Sequence, residues 1–291
     1  MTKLLEDRTA IVTGGSQGLG LAIATHFVAE GANVVLCARD SGKLAVAVNE
    51  LRQHVVLPQK VIGLSVDVSD ETAVNRFVMA ITAEFDSIDI LVNSAGVYGP
   101  MGLIEEIDWQ EWVDAIKINL LGTVQMCRAV LPYMKKAHFG KIINLSGGGA
   151  TAPMPRISAY AASKAAVVRF TESLALECKD DGIDVNAIAP GALNTRLLDQ
   201  VLAAGPGAVG EEFYQKSVAQ NQSGGTPLER GVELCTFLAS AVSNGITGKL
   251  ISAVWDPWAS LPARKQEVQE SDIYTLRRIV PKDRGKEWDL P

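Results

Sequence analysis

Seven short apolar runs, at 9–13, 33–38, 61–66, 88–92, 141–146, 184–188 and 249–254, punctuate the chain. Between them lie segments of helical period at 18–30, 41–57, 71–85, 109–136, 159–180 and 227–241. Most of the short runs are rich in Val and Ile and read as continuously apolar, as strands do when both faces are covered. Strand–helix alternation repeated this often implies right-handed crossovers. The expected fold is therefore α/β, a doubly wound parallel sheet of about seven strands with helices on both faces. Local signals support the helix starts: Asp108 with Glu111 fits a capping box, and Thr226 before Pro227 fits a capped start with proline at the first helical position.

No linker or shift in composition interrupts the chain before about residue 255, so residues 1–255 are read as one domain. Two stretches fall outside the alternation. Residues 195–225 carry Gly205-Pro206-Gly207 and a polar run at 220–225, and a long excursion after a strand end reads as a substrate lid. Residues 256–291 form a polar C-terminal extension that still holds Trp258, Tyr274 and Trp288, aromatics whose need for burial suggests docking at a subunit interface.

Composition narrows the function classes. The 291 residues are 47% hydrophobic and 21% charged, which is ordinary for a soluble globular protein. The net charge is −6 and the longest basic clusters are pairs, which argues against a nucleic-acid partner. No apolar run approaches the ~20 residues of a membrane span, and residues 1–7 lack the apolar core of a signal peptide. Cys37, Cys127, Cys178 and Cys235 lie far apart with no CxxC spacing and read as buried free thiols. A cytoplasmic location is the resulting expectation. Three scattered histidines give no pattern for a metal site.

The first strand runs directly into Thr13-Gly14-Gly15-Ser16-Gln17-Gly18-Leu19-Gly20. Glycine at a strand-to-helix turn lets a diphosphate approach the backbone, and the helix N-terminus offers free N–H groups and partial positive charge. Gly20 lets the helix pack closely on the sheet. The second strand ends at Ala38-Arg39, with no acid until Asp40. A carboxylate there would suit the 2′-hydroxyl of NAD, whereas a basic residue suits a 2′-phosphate, so NADP(H) is preferred and NAD(H) remains possible. Asp67-Val68 and Asn93-Ser94-Ala95-Gly96 close the third and fourth strands, at the carboxyl ends where open α/β sheets bind ligands.

Tyr160 and Lys164 open a helix at i and i+4 and share a face. A lysine ammonium beside a phenol favours the phenolate and lowers the phenol pKa, which would fit Tyr160 to exchange a proton with a substrate oxygen. In order and spacing, Thr13-Gly14-xxx-Gly18-x-Gly20, Asn93-Ser94-Ala95-Gly96, Asn119, Tyr160-xxx-Lys164 and Pro190-Gly191-xxx-Thr195 resemble the short-chain dehydrogenase/reductase family, over about residues 5–254. The glycine spacing is similar to its compact single-domain branch. The resemblance implies a Rossmann-type fold and hydride transfer between a nicotinamide cofactor and a carbonyl or secondary alcohol. It makes Tyr160 the general acid/base. Lys164 lowers its pKa and holds the nicotinamide ribose, and Asn119 anchors a water in the proton relay. Asp67 and Val68 would contact adenine, Asn93 and Gly96 the ribose, and Pro190, Gly191 and Thr195 the carboxamide. The long helices at 109–136 and 159–180 resemble those that pair subunits in this family, which implies a homodimer or homotetramer.

Two departures stand out. The family places a catalytic serine thirteen residues before the tyrosine, and this chain has Gly147 there with Ser146 one residue earlier. Ser146 reaches the site only if the Gly147-Gly148-Gly149 segment leaves regular strand geometry; Thr151 or a backbone N–H are the alternatives. A cofactor-binding regulatory protein with weak catalysis is the competing reading. The seventh strand also ends differently, in Trp255-Asp256-Pro257-Trp258 rather than the family's usual Asp-Gly-Gly. The segments 97–103, 150–158 and 195–225 supply candidate substrate lining. Leu197, Leu198 and Phe213 mix there with Gln215, Gln220, Asn221 and Gln222, which suggests a polar, polyhydroxylated substrate.

Overall fold

A computed structural model of the chain describes residues 3–288. Its centre is a seven-stranded sheet built from β1 (Thr9–Thr13), β2 (Asn33–Ala38), β3 (Val61–Ser65), β4 (Ile90–Asn93), β5 (Gly140–Leu145), β6 (Ile183–Ala189) and β7 (Leu250–Ser252). The strands run in the order β3-β2-β1-β4-β5-β6-β7 and every pairing is parallel. The fold is Rossmann-like. Its strand order reverses between β1 and β4, the crevice where such sheets bind dinucleotides.

Alternate residues of each strand serve opposite layers. Ala10, Val12, Val34 and Leu36 pack with Ile23 and Phe27 of α1 (Gly18–Ala29), Leu44 of α2 (Ser41–Arg52) and Leu234 of α9 (Leu228–Ala239). Ile11, Val35, Leu91 and Ile142 pack on the other side with Phe77 of α3 (Glu71–Glu84), Met126 of α5 (Gly122–Ala137) and Leu174 of α6 (Ser158–Glu177). Aspartates cap several helices: Asp40, Asp70 and Asp108 accept from Lys43, Ala73 and Glu111 backbone N–H groups at 3.0, 3.0 and 2.8 Å.

The strands lie within two residues of their expected bounds, and four helical regions differ. The single helix expected over 109–136 is α4 (Trp109–Ile116) and α5 joined by a wider π turn at Lys117–Leu121, which carries Asn119. A π turn inserts one extra residue and leaves no mark on hydrophobic periodicity. Residues 195–225 fold as α7 (Arg196–Val209) and α8 (Glu211–Ser223), with the break at Gly205-Pro206 lying inside α7. The helix α2 stops at Arg52 instead of continuing to 57, and Pro58 disfavours helical geometry just before it. At α9, Thr226 provides no side-chain cap; its N–H instead donates to the Ala192 carbonyl at 2.8 Å.

The C-terminal extension lies along this chain's own surface. Trp258 packs its ring on Phe237 at a centroid distance of 5.4 Å. Leu250 in β7 donates to the Tyr274 carbonyl at 2.8 Å, so the extension covers the outer sheet edge. Buried Lys249 fastens it by donating to the Ser271 and Ile273 carbonyls, each at 3.0 Å. The burial that pointed to a subunit interface is thus met within the chain for Trp258 and Tyr274, while Trp288 stays 69% exposed. Among the described residues no helix is long and apolar enough to cross a membrane, and all four cysteines are free and buried.

Candidate active site

One cleft of about 1530 Å³ runs across the carboxyl ends of the strands. Its first wall is the turn between β1 and α1. Gly14 adopts φ +65, where a side chain would be strained, and a Cβ there would lie 2.9 Å from the backbone of Ala95. A Cβ on Gly20 would come within 2.6 Å of the Gly14 carbonyl. The hydroxyl of Thr13 accepts from the Ser94 and Ala95 N–H groups, both at 3.0 Å, and so fixes the β1 and β4 ends to each other. Gly14, Ser16, Gln17, Gly18, Leu19 and Gly20 all line the cleft, in the arrangement that leaves α1's first N–H groups facing a bound anion.

At the end of β2, Arg39 is exposed, lines the cleft, and has no side-chain partner among the described residues. Asp40 turns a carboxylate oxygen back onto α2 as its cap, and Lys43 reaches Gln17 Oε1 at 3.4 Å. Arg39 and Lys43 thus stand beside the Asp40 carboxylate at this end of the cleft. Asp67 and Val68 line the next part of the cleft, where Asp67 Oδ1 accepts from the Ser69 N–H at 2.9 Å and its hydroxyl at 2.7 Å. Ala95, Gly96, Pro190, Gly191 and Thr195 complete the path. These residues fit a dinucleotide, with a glycine turn open to a diphosphate at the point where the strand order reverses.

Asn93 departs from its expected place. Its side chain is buried away from the cleft, where Nδ2 donates to Asn144 Oδ1 at 2.9 Å. The strand period decides this, because Asn93 ends β4 on the face that meets Cys127 of α5. Asn119 also lies off the cleft surface, fully buried in the π turn. Its side chain grips the peptide of Val97, accepting from the N–H at 2.9 Å and donating to the carbonyl at 2.8 Å. It also donates to Ser163 Oγ at 2.9 Å, and that hydroxyl donates to the Tyr160 carbonyl at 2.7 Å.

Tyr160 and Lys164 stand one turn apart at the start of α6, and both line the cleft. Lys164 Nζ donates to the Leu145 carbonyl at 2.6 Å and sits 5.6 Å from the Tyr160 ring centre. Burial lowers the Lys164 pKa to about 8. The expected lowering at Tyr160 does not occur. Burial, with a smaller push from Tyr98, raises the phenol above its ordinary value, and an ammonium drawn to Leu145 does not offset this. Ser146 is buried and donates its hydroxyl to the Lys164 carbonyl at 3.5 Å, along the backbone of α6.

The substrate end is bounded by Val97, Tyr98, Thr151, Met154 and the inner faces of α7 and α8. Phe213, Ser217 and Gln220 share one side of α8 and face the cleft, whereas Gln215, Asn221 and Gln222 are exposed outside it. The amides that suggested a polyhydroxylated substrate thus mostly point to solvent. Sequence reading did not reach Trp255, Asp256 or residues 274–276, which also line this cleft. Only the clustering of aromatics in a polar tail hinted at them.

A family model described as short chain dehydrogenase matches residues 8–204. The chain belongs to the short-chain dehydrogenase/reductase family. It is 34% identical over 252 residues to the 3-oxoacyl-(acyl-carrier-protein) reductase of Chlamydia trachomatis serovar D, covering 87% of this chain and 98% of that protein. The crystal structure of NAD+-bound xylitol dehydrogenase superposes with a TM-score of 0.78 at 26% identity, covering 85% of this chain and 98% of that one. A gluconate 5-dehydrogenase from Burkholderia cenocepacia in complex with NADP and tartrate gives 0.75 at 26% identity, covering 86% and 95%. This short-chain dehydrogenase/reductase is thus an oxidoreductase of a family that binds nicotinamide cofactors, and its structural neighbours include both an NAD+ and an NADP complex.

Proposed function

We propose that this short-chain dehydrogenase/reductase interconverts a carbonyl compound and the corresponding secondary alcohol, with NADP(H) preferred over NAD(H). The observation that carries the reading is the placement of Tyr160 and Lys164 in the same cleft as the glycine turn. Bound nicotinamide supplies or accepts the hydride at the substrate carbon. The chain's own residues manage everything else. Amides of the β1–α1 turn hold the diphosphate, and Arg39 with Lys43 faces the 2′-phosphate.

The raised Tyr160 pKa keeps the phenol protonated at neutral pH, which suits it to give its proton to the substrate oxygen as the carbonyl is reduced. Lys164, still largely cationic below about pH 8, stabilises the phenolate left behind and holds the ribose. Asn119 acts on this step by fixing Ser163 and hence the first turn of α6. The cleft above Tyr160 combines Val97, Met154, Leu197 and Phe213 with Thr151, Ser217 and Gln220. That lining suits a ketone with an apolar body and few polar groups. Buried free thiols fit a reducing, cytoplasmic setting.

Assay NADPH oxidation with a panel of ketones, using wild type and Tyr160→Phe. Turnover by wild type that collapses in the variant supports the reading. Tight NADPH binding with no turnover would favour the regulatory alternative, and an unchanged variant rate would remove Tyr160 from the mechanism.

A further inference from the structure

At the reacting end of the cleft, the position thirteen residues before Tyr160 carries no side chain. Gly147 stands in that position, and a Cβ built on it would lie 2.5 Å from the Tyr160 Oη and 3.4 Å from Cζ. The Tyr160 phenol thus lies against the Gly147 backbone, in space that a side chain at that position would need. Ser146 lines the cleft one residue earlier, and its Oγ lies 3.5 Å from the Lys164 carbonyl, to which it donates. Thr151 sits at the exposed rim. A lone donor on the substrate oxygen would leave much of the developing negative charge unmatched.

A second phenol lies beside the first. The ring of Tyr98 meets that of Tyr160 edge-on, with centroids 4.7 Å apart and planes at 66°. Tyr98 lines the same cleft, and its hydroxyl has no hydrogen-bond partner among the described residues. Burial raises its pKa, so it stays a neutral donor at physiological pH. Its position is tightly specified. The Asn119 side chain clamps both polar groups of the preceding residue, Val97, and through Ser163 the same amide holds the turn that carries Tyr160. One buried asparagine thus sets the two phenols relative to each other.

We propose that Tyr98 is a second catalytic residue, whose hydroxyl donates a hydrogen bond to the substrate oxygen in place of the serine absent at Gly147. During reduction the hydride goes to the carbonyl carbon and the Tyr160 proton to the oxygen, while Tyr98 keeps its own proton throughout. Asn119 is the positioning residue for both phenols. This rests on the carbonyl-reduction reading above.

The test compares wild type, Tyr98→Phe and Tyr160→Phe in NADPH-dependent ketone reduction, with NADPH affinity measured separately by titration. Phenylalanine keeps the ring contact and removes only the hydroxyl. The expected result for Tyr98→Phe is a fall of about 10²-fold, mainly in kcat, with NADPH affinity unchanged. A Tyr98→Phe rate within about twofold of wild type beside an inactive Tyr160→Phe would overturn the role of Tyr98 and leave the functional reading standing. Loss of NADPH binding in Tyr98→Phe would make Tyr98 structural and overturn it as well. A wild type that binds NADPH but reduces no ketone would overturn both readings.

Discussion

The two ends of the cleft are built in different ways. At the end proposed for the diphosphate, the groups on offer are backbone amides of the contiguous turn from Gly14 to Gly20, braced by the Thr13 hydroxyl. At the reacting end they are side chains drawn from the loop after β4, the start of α6, α7 and α8, and the C-terminal extension. A backbone site needs residues that lack a Cβ, and that need is written locally. A side-chain site depends on how distant segments pack, so no single stretch announces it.

The largest expected effect breaks the reacting end while sparing the other. Tyr160→Phe should lower kcat/KM by about 10³-fold with little change in NADPH affinity. Steady-state kinetics with parallel cofactor titration separate the two. Gly14→Ala should do the opposite. Its Cβ would crowd Ala95 from a backbone at φ +65, which strains the turn by about 1–3 kcal/mol. Calorimetric titration should show NADPH affinity falling by about 10-fold or more.

A smaller effect sharpens the reading of the adenosine pocket. Arg39→Ala should weaken NADPH binding by about tenfold and leave NADH binding nearly unchanged, since an exposed cation gains only modestly from its partner. Equal losses for both cofactors would mean that Arg39 does not meet the 2′-phosphate.

A last prediction probes the buried charge at the reacting end. Burial holds Lys164 at about 8 against an ordinary 10.5. Between those values the unfolded chain binds the extra proton, so this group's penalty is complete below the folded value and fades as pH rises through the window. Lys164→Met removes the penalty. Its stability relative to wild type in urea should be highest near about pH 7 and decline towards about pH 10. A gap independent of pH would show that Lys164 is not held down by burial.

The same contrast explains what could be read from the sequence. The parallel sheet followed from Val- and Ile-rich runs, and the cradle from Gly14, Gly18 and Gly20. Tyr160 and Lys164 were legible because i and i+4 share a helix face. Asn119 was visible as a residue but not as a clamp on Val97, because the π turn that aims it leaves no periodic signature. Asn93 was assigned to the ribose by motif, while its strand face turns it toward Asn144. The helices α7 and α8 hid behind Gly205, Pro206 and Gly210, residues that more often mark loops. Residues 274–276 are held at the cleft by long-range contacts: Leu250 donates to the Tyr274 carbonyl, Arg169 to the Leu276 carbonyl, and Glu172 accepts from the Leu276 N–H at 2.6 Å.

The central claim is that both ends of this cleft serve one dinucleotide. Solving the structure with NADPH bound tests it most directly. The account predicts the diphosphate on the amides of residues 14–20, the 2′-phosphate at Arg39 and the nicotinamide beside the Tyr160 hydroxyl. A dinucleotide seated elsewhere, or one whose nicotinamide points away from Tyr160, would contradict it.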